Sequence, residues 1–131
     1  MQMEENEFND LTALIIASAI EVHKELGGPG LLEDVYEEAL SYEMELRGLK
    51  VQRQVGVAIE YKGKLLHKRL VLDLLVNNTV IIEVKSVERY NDIYQAQLLT
   101  YFRLNNRRLG LVINFGERYV KDGVHRVVNN L

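Results

Sequence analysis

Two short apolar segments of this chain carry charge where a buried strand should carry none, and nothing else in the sequence constrains the fold as tightly. Leu70-Val71-Leu72-Asp73-Leu74-Leu75-Val76 is apolar except for one carboxylate, and the following run, Val80 to Val87, contains Ile81-Ile82-Glu83-Val84-Lys85. The two-residue period of a strand puts Glu83 and Lys85 on one face. An ionised group buried without a partner is costly, so these charges must pair with one another, hold a cation or line a cleft. A Glu83–Lys85 or Asp73–Lys85 ion pair at a sheet edge would satisfy the charges without any function. Two carboxylates also suit a hard divalent cation such as magnesium, which takes oxygen ligands and leaves positions for water and a substrate phosphate. A lysine two residues beyond such a ligand can orient the attacking water and stabilise developing negative charge.

Whether the two carboxylates can meet depends on the connection between the strands. A two-residue Asn77-Asn78 loop pairs Val76 with Thr79 and leaves Glu83 on the wrong face. A three-residue loop, Asn77-Asn78-Thr79, pairs Val76 with Val80 and sets Asp73 opposite Glu83. The second connection, or else a bulge that shifts the register by one, is required if the carboxylates act together, with an asparagine at positive φ to accommodate it.

Around this pair the pattern reads as an α/β chain. Apolar residues at helical spacing from Asn9 or Asp10 to Leu26 predict a first helix, stopped by Gly27-Gly28-Pro29, and a second runs from just after Gly30 to Arg47. From Val51 the period changes to alternation, with Lys62-Gly63 as a turn and Leu65 to Val76 as one strand. A third helix from about Asn91 to Leu104 leads into the apolar run Leu109 to Phe115, so Val80 to Val87 and Leu109 to Phe115 should be parallel. Val124 to Val128 reads as an edge strand. With 131 residues and no repeat or linker, residues 1–131 are expected to form a single domain.

Composition narrows the chemistry. Without cysteine there is no disulfide, thiolate ligand or cysteine nucleophile, and this fits a cytoplasmic protein. The N-terminus is acidic, unlike a secretory signal, and no apolar run is long enough for a bilayer, so no membrane association is expected. A net charge of −3 argues against global electrostatic binding of nucleic acid. Contacts would have to be local, from Lys62, Lys64, Lys68 and Arg69 or from Arg103, Arg107 and Arg108, which read equally as solvated surface charge.

Asp73 followed by Glu83-Val84-Lys85 resembles the D…(D/E)-x-K signature of the PD-(D/E)XK nuclease superfamily. Gly30-Leu31-Leu32-Glu33-Asp34-Val35-Tyr36 is similar to the G-x-x-E-x-x-Y motif of the GxxExxY family, small bacterial and archaeal proteins grouped with those nucleases. The likeness runs from Val22-His23-Lys24-Glu25-Leu26 through Ala96-Gln97-Leu98-Leu99-Thr100-Tyr101 to Gly110–Gly116. It implies a restriction-endonuclease-like core, a mixed sheet flanked by helices, with magnesium or manganese on Asp73 and Glu83 and with Lys85 assisting water. It further implies that Glu33 is the helix-borne acidic residue of the site and Gln97 its glutamine. Glu33 is equally explained by the favourable N-terminal turn of a helix, and Gln97 by a polar stripe with Tyr94 and Tyr101. Tyr36 is a candidate to hydrogen-bond a carboxylate or phosphate, whereas His23 reads as packing. Tyr94 departs from the pattern, standing where the family's glutamine-bearing helix is expected to carry histidine.

The reading that follows is a metal-dependent nuclease acting on DNA or RNA. The alternative is a non-catalytic module, with a homodimer as its expected form, that holds nucleic acid or protein on a nuclease scaffold. Hydrolysis of a small phosphorylated metabolite lacks the glycine-rich phosphate loop that would point to it.

Overall fold

A computed structural model describes residues 5–129. The first helix, α1 (Glu5–Glu25), starts earlier than its periodicity predicts, because Phe8 is buried and extends the inward stripe Leu11, Ile15, Ala19 and Val22 by one turn. Residues 1–4 of the acidic N-terminus lie outside the described residues. Helix α2 (Glu33–Leu46) turns Tyr36, Leu40 and Met44 inward. The corner between them is built on positive φ at Gly27, Gly28 and Gly30, conformations that cost a glycine little.

Strands β1 (Val51–Val57), β4 (Leu70–Val76), β5 (Val80–Lys85), β6 (Leu109–Asn114) and β7 (Val124–Val128) form a five-stranded mixed sheet in the order β1-β4-β5-β6-β7. Helix α3 (Ile93–Asn105) makes the crossover between β5 and β6, which pair in parallel as a strand–helix–strand unit requires. The other pairings are antiparallel, and β7 is an edge. Helices α1 and α2 cover one face, packing on Leu74, Val76, Ile82 and Ile113, while α3 covers the other through Leu98 and Phe102 on Leu72, Ile81 and Val112. Each fully buried aliphatic or aromatic side chain contributes about 1.5–3 kcal/mol. The result is a mixed α/β arrangement, a five-stranded sheet flanked by helices on both faces, as the sequence pattern predicts.

The expected single strand from Leu65 to Val76 is two. Strands β2 (Glu60–Tyr61) and β3 (Lys64–Leu65) form a separate two-stranded hairpin, and the exposed segment Leu66 to Arg69 belongs to neither sheet. The reason is local: Lys62 and Gly63 both take positive φ and close the hairpin, and Leu66 N–H donates to Ile59 O at 2.8 Å, which carries the chain back along the hairpin instead of into the main sheet. Strand β5 likewise stops at Lys85 rather than Val87. The peptide of Val87 is held by Asn114 instead, whose side chain accepts from Val87 N–H and donates to Val87 O, both at 3.0 Å.

That clamp brings the chain against Gly116, where the Val87 backbone occupies the space a Cβ would need. Gly116→Ala should therefore lower stability by about 1–3 kcal/mol or more, read as a reduced denaturant midpoint at unchanged slope. A midpoint equal to wild type would mean that this approach is looser than described.

Candidate active site

The β4–β5 connection is the three-residue loop Asn77-Asn78-Thr79, since Val76 pairs with Val80. Asn77 and Asn78 take φ of 50° and 55°. Thr79 N–H donates to Val76 O at 2.9 Å, and the Asn77 side chain accepts from Lys50 N–H at 2.8 Å, tying the loop to the start of β1. The register therefore sets Asp73 and Glu83 opposite each other.

At that level the backbone ladder stops. Its last rung is Leu74 with Ile82, and side chains take over. Asp73 N–H donates to Glu83 Oε1 at 3.3 Å, and Val84 N–H donates to Asp73 Oδ2 at 2.9 Å. On the other side of β4, the rung between Gln54 and Asp73 is also absent from the pairing with β1, and Gln54 has φ of 52°. Side-chain alternation breaks here as well: Leu72 packs under α3 and Leu74 under α1 and α2, although they are two residues apart. The sheet thus opens around Asp73.

Glu83 is buried, and its carboxyl is pushed up to about 8, first by burial and then by the charge of Asp73, with the Asp73 N–H and Lys85 acting against the rise. Lys85 forms neither of the simple ion pairs. Its ammonium lies over the Tyr94 ring, 4.6 Å from the centroid, an attractive cation–π placement. Among the described residues the salt bridges are Arg47–Glu43 and Arg53–Glu37. From α3, Tyr101 also senses the pair, its hydroxyl pKa raised by burial and then by Glu83 and Asp73.

The helix residues are arranged differently from the expectation. Glu33, the first residue of α2, is exposed, in the turn where helix-end electrostatics favour a carboxylate. One turn on, Glu37 is buried; its carboxyl is raised by burial and then by the charge of Asp73. Glu37 accepts from Arg53 Nη2 at 3.1 Å and from Gln54 Nε2 at 2.8 Å, the residues beside the break in β1. The sequence reading missed it, although Glu37, Ser41 and Met44 form an inward stripe at helical spacing. Gln97 is exposed on α3, one turn from both Tyr94 and Tyr101.

Tyr36 does not serve a carboxylate or phosphate. Its hydroxyl donates to Gly28 O at 2.7 Å and accepts from Leu31 N–H at 3.2 Å, while its ring stacks on Phe115 at 4.6 Å. The role is to pin the glycine corner. His23 is buried in packing, its Nε2 donating to Phe115 O at 3.1 Å.

Among the described residues, no cluster of three or more acidic, histidine or cysteine side chains forms a ready-made metal cage. The donors are two carboxylates, one buried and carrying a raised pKa beside the other. That set fits a hard divalent ion that keeps waters and takes substrate oxygens as its remaining ligands.

A stability dependence follows from Glu83. An unfolded glutamate titrates near about 4.3, so between there and about 8 the folded protein holds a proton that the unfolded chain has lost. Its contribution is complete below the lower value and lost as pH rises through the upper one, by up to about 1.4 kcal/mol per pH unit. Denaturant unfolding in chelator should show wild type losing stability relative to Glu83→Gln between about pH 5 and about pH 8. A constant difference between the two proteins across that range would contradict the burial and coupling of Glu83.

No curated protein matches the sequence. Among solved structures, the crystal structure of SSO0001 aligns at 13% identity over 92% of this chain and 79% of that one, with a TM-score of 0.46, a likeness too loose to carry an assignment. The PD-(D/E)XK nuclease superfamily model matches residues 9–127, nearly the whole length of the sheet and helices described above. On that match the chain belongs to the PD-(D/E)XK nuclease superfamily.

Proposed function

We propose that the protein is a magnesium- or manganese-dependent nuclease hydrolysing phosphodiester bonds of DNA or RNA, a GxxExxY-type member of its superfamily. The observation that carries this reading is the opening of the sheet at Asp73 and Glu83, where two carboxylates are brought together in place of a backbone rung. Asp73 and Glu83 would hold the ion, which when bound supplies Lewis acidity toward the phosphate.

The chain's own groups do the rest. Lys85, held over Tyr94, provides positive charge for the phosphate oxygens and orients the attacking water. Glu37, bonded to Arg53 and Gln54, braces the β1 side of the opening and adds negative potential toward Asp73. Gln97, exposed on α3, would contact substrate. Glu33, in the exposed first turn of α2, would contribute from the rim like Gln97, and Glu37 adds a buried acidic group from the same helix.

The test is cleavage of single- and double-stranded DNA and RNA with magnesium, manganese or chelator. Asp73→Ala and Lys85→Ala should each lower the rate by roughly two orders of magnitude or more. Glu33→Gln and Glu37→Gln should each lower it by less than that. Metal-independent cleavage, or cleavage unchanged by both Asp73→Ala and Lys85→Ala, would contradict the reading. Stable binding of nucleic acid with no cleavage under any metal would favour the non-catalytic module instead.

A further inference from the structure

On the α1 side of the sheet, away from the carboxylates, lies a groove of about 360 Å³ between the end of α1 and the segment after β6. Its volume is within the range of about 300–1,000 Å³ typical of ligand sites. Ile20 and the exposed Tyr119 give it apolar walls, and Lys24, Arg118 and Lys121 bring positive charge to it; no carboxylate is among its lining residues. In a chain of net charge −3 this local excess of cations is unusual. The Arg118 guanidinium lies 5.4 Å from the Tyr119 ring centroid.

The groove is connected to the candidate active site through backbone. His23, in its wall, donates to Phe115 O at 3.1 Å, and Phe115 N–H donates to Lys85 O at 2.8 Å. A second depression, lined by Gly30, Ser86, Val87 and Gly116 among others, lies where the same two loops meet the residues following Lys85. The glycine corner and the segment after β6 contribute to both depressions. The second depression is lined also by Glu88 and lies beside the end of β5 rather than at Lys85 itself.

We infer that the groove lined by Tyr119, Lys24, Arg118 and Lys121 docks a nucleotide of a single-stranded nucleic acid that the active site cleaves. This rests on the nuclease reading above. An aromatic face beside cations, with no opposing carboxylate, is the combination that holds a base by stacking and its backbone by charge, without dependence on sequence. The apolar walls take the base, and the lysines take the flanking phosphates.

The test is fluorescence anisotropy of a short fluorescein-labelled oligothymidylate in chelator, so that binding is read without cleavage. Tyr119→Ala should weaken binding by roughly tenfold. Lys24→Glu with Lys121→Glu should weaken it at least as much and reduce the salt slope by about 1. Lys50→Glu, just before β1, should change it by less than about twofold if the contacts are local. All these residues are exposed, and matching thermal melts would confirm folding. Affinity indifferent to the groove substitutions, while cleavage still requires Asp73, would overturn the groove and leave the nuclease reading standing. Absence of both oligonucleotide binding and cleavage would remove both. Thymidine monophosphate competing as well as the oligomer would also overturn the inference, because the site would then take free nucleotides.

Discussion

The arrangement depends on one exchange of hydrogen bonds: Asp73 N–H to the Glu83 carboxylate, and Val84 N–H to the Asp73 carboxylate. Backbone donors left by the end of the β4–β5 ladder are satisfied by the side chains that the ladder would otherwise have kept apart. The backbone is thereby paid for, but two carboxylates now face each other in a place where one of them is buried. Burial and like charge both disfavour ionising Glu83, so without a cation the pair tends to retain a proton at neutral pH. A divalent ion would remove that conflict, so the geometry that sets two carboxylates against each other suits a metal-dependent reaction.

The remaining buried polar groups hold the frame. Asn114 clamps the peptide of Val87 and accepts from Gly116 N–H, Tyr36 fixes the glycine corner, and His23 bonds the carbonyl of Phe115. All three act at the end of the parallel strands from which Lys85 emerges, and parallel α/β sheets commonly bind ligands beyond the carboxyl ends of their strands. These residues have committed their polar atoms to backbone. Their contribution is to keep β5, β6 and the corner in fixed relation, so that Lys85 and the loops around it have one position.

The helices, most strand boundaries, the parallel β5–β6 pairing and the three-residue turn were legible because each has a local cause: periodicity, crossover length, or the parity that places Asp73 opposite Glu83. The break between β3 and β4 was not, because the run Leu65 to Arg69 carries no Gly or Pro to mark it, and Leu66 is bonded back to Ile59 within the hairpin instead of to the main sheet. The same limit applies to the site. Glu33 stands in the family motif, but the rotation of α2 exposes it and buries Glu37, and rotation is set by packing rather than by spacing from the glycine corner. Lys24, Arg118 and Lys121 were overlooked as a basic group because they come from two distant segments and meet only in the fold.

The central claim is that Asp73 and Glu83 share one divalent cation. Crystals grown with manganese and measured at a wavelength where manganese scatters anomalously would locate it directly. We expect one peak contacting both carboxylates in wild type, and its loss in Asp73→Asn. Manganese bound elsewhere, or no peak at this pair under saturating manganese, would contradict the account.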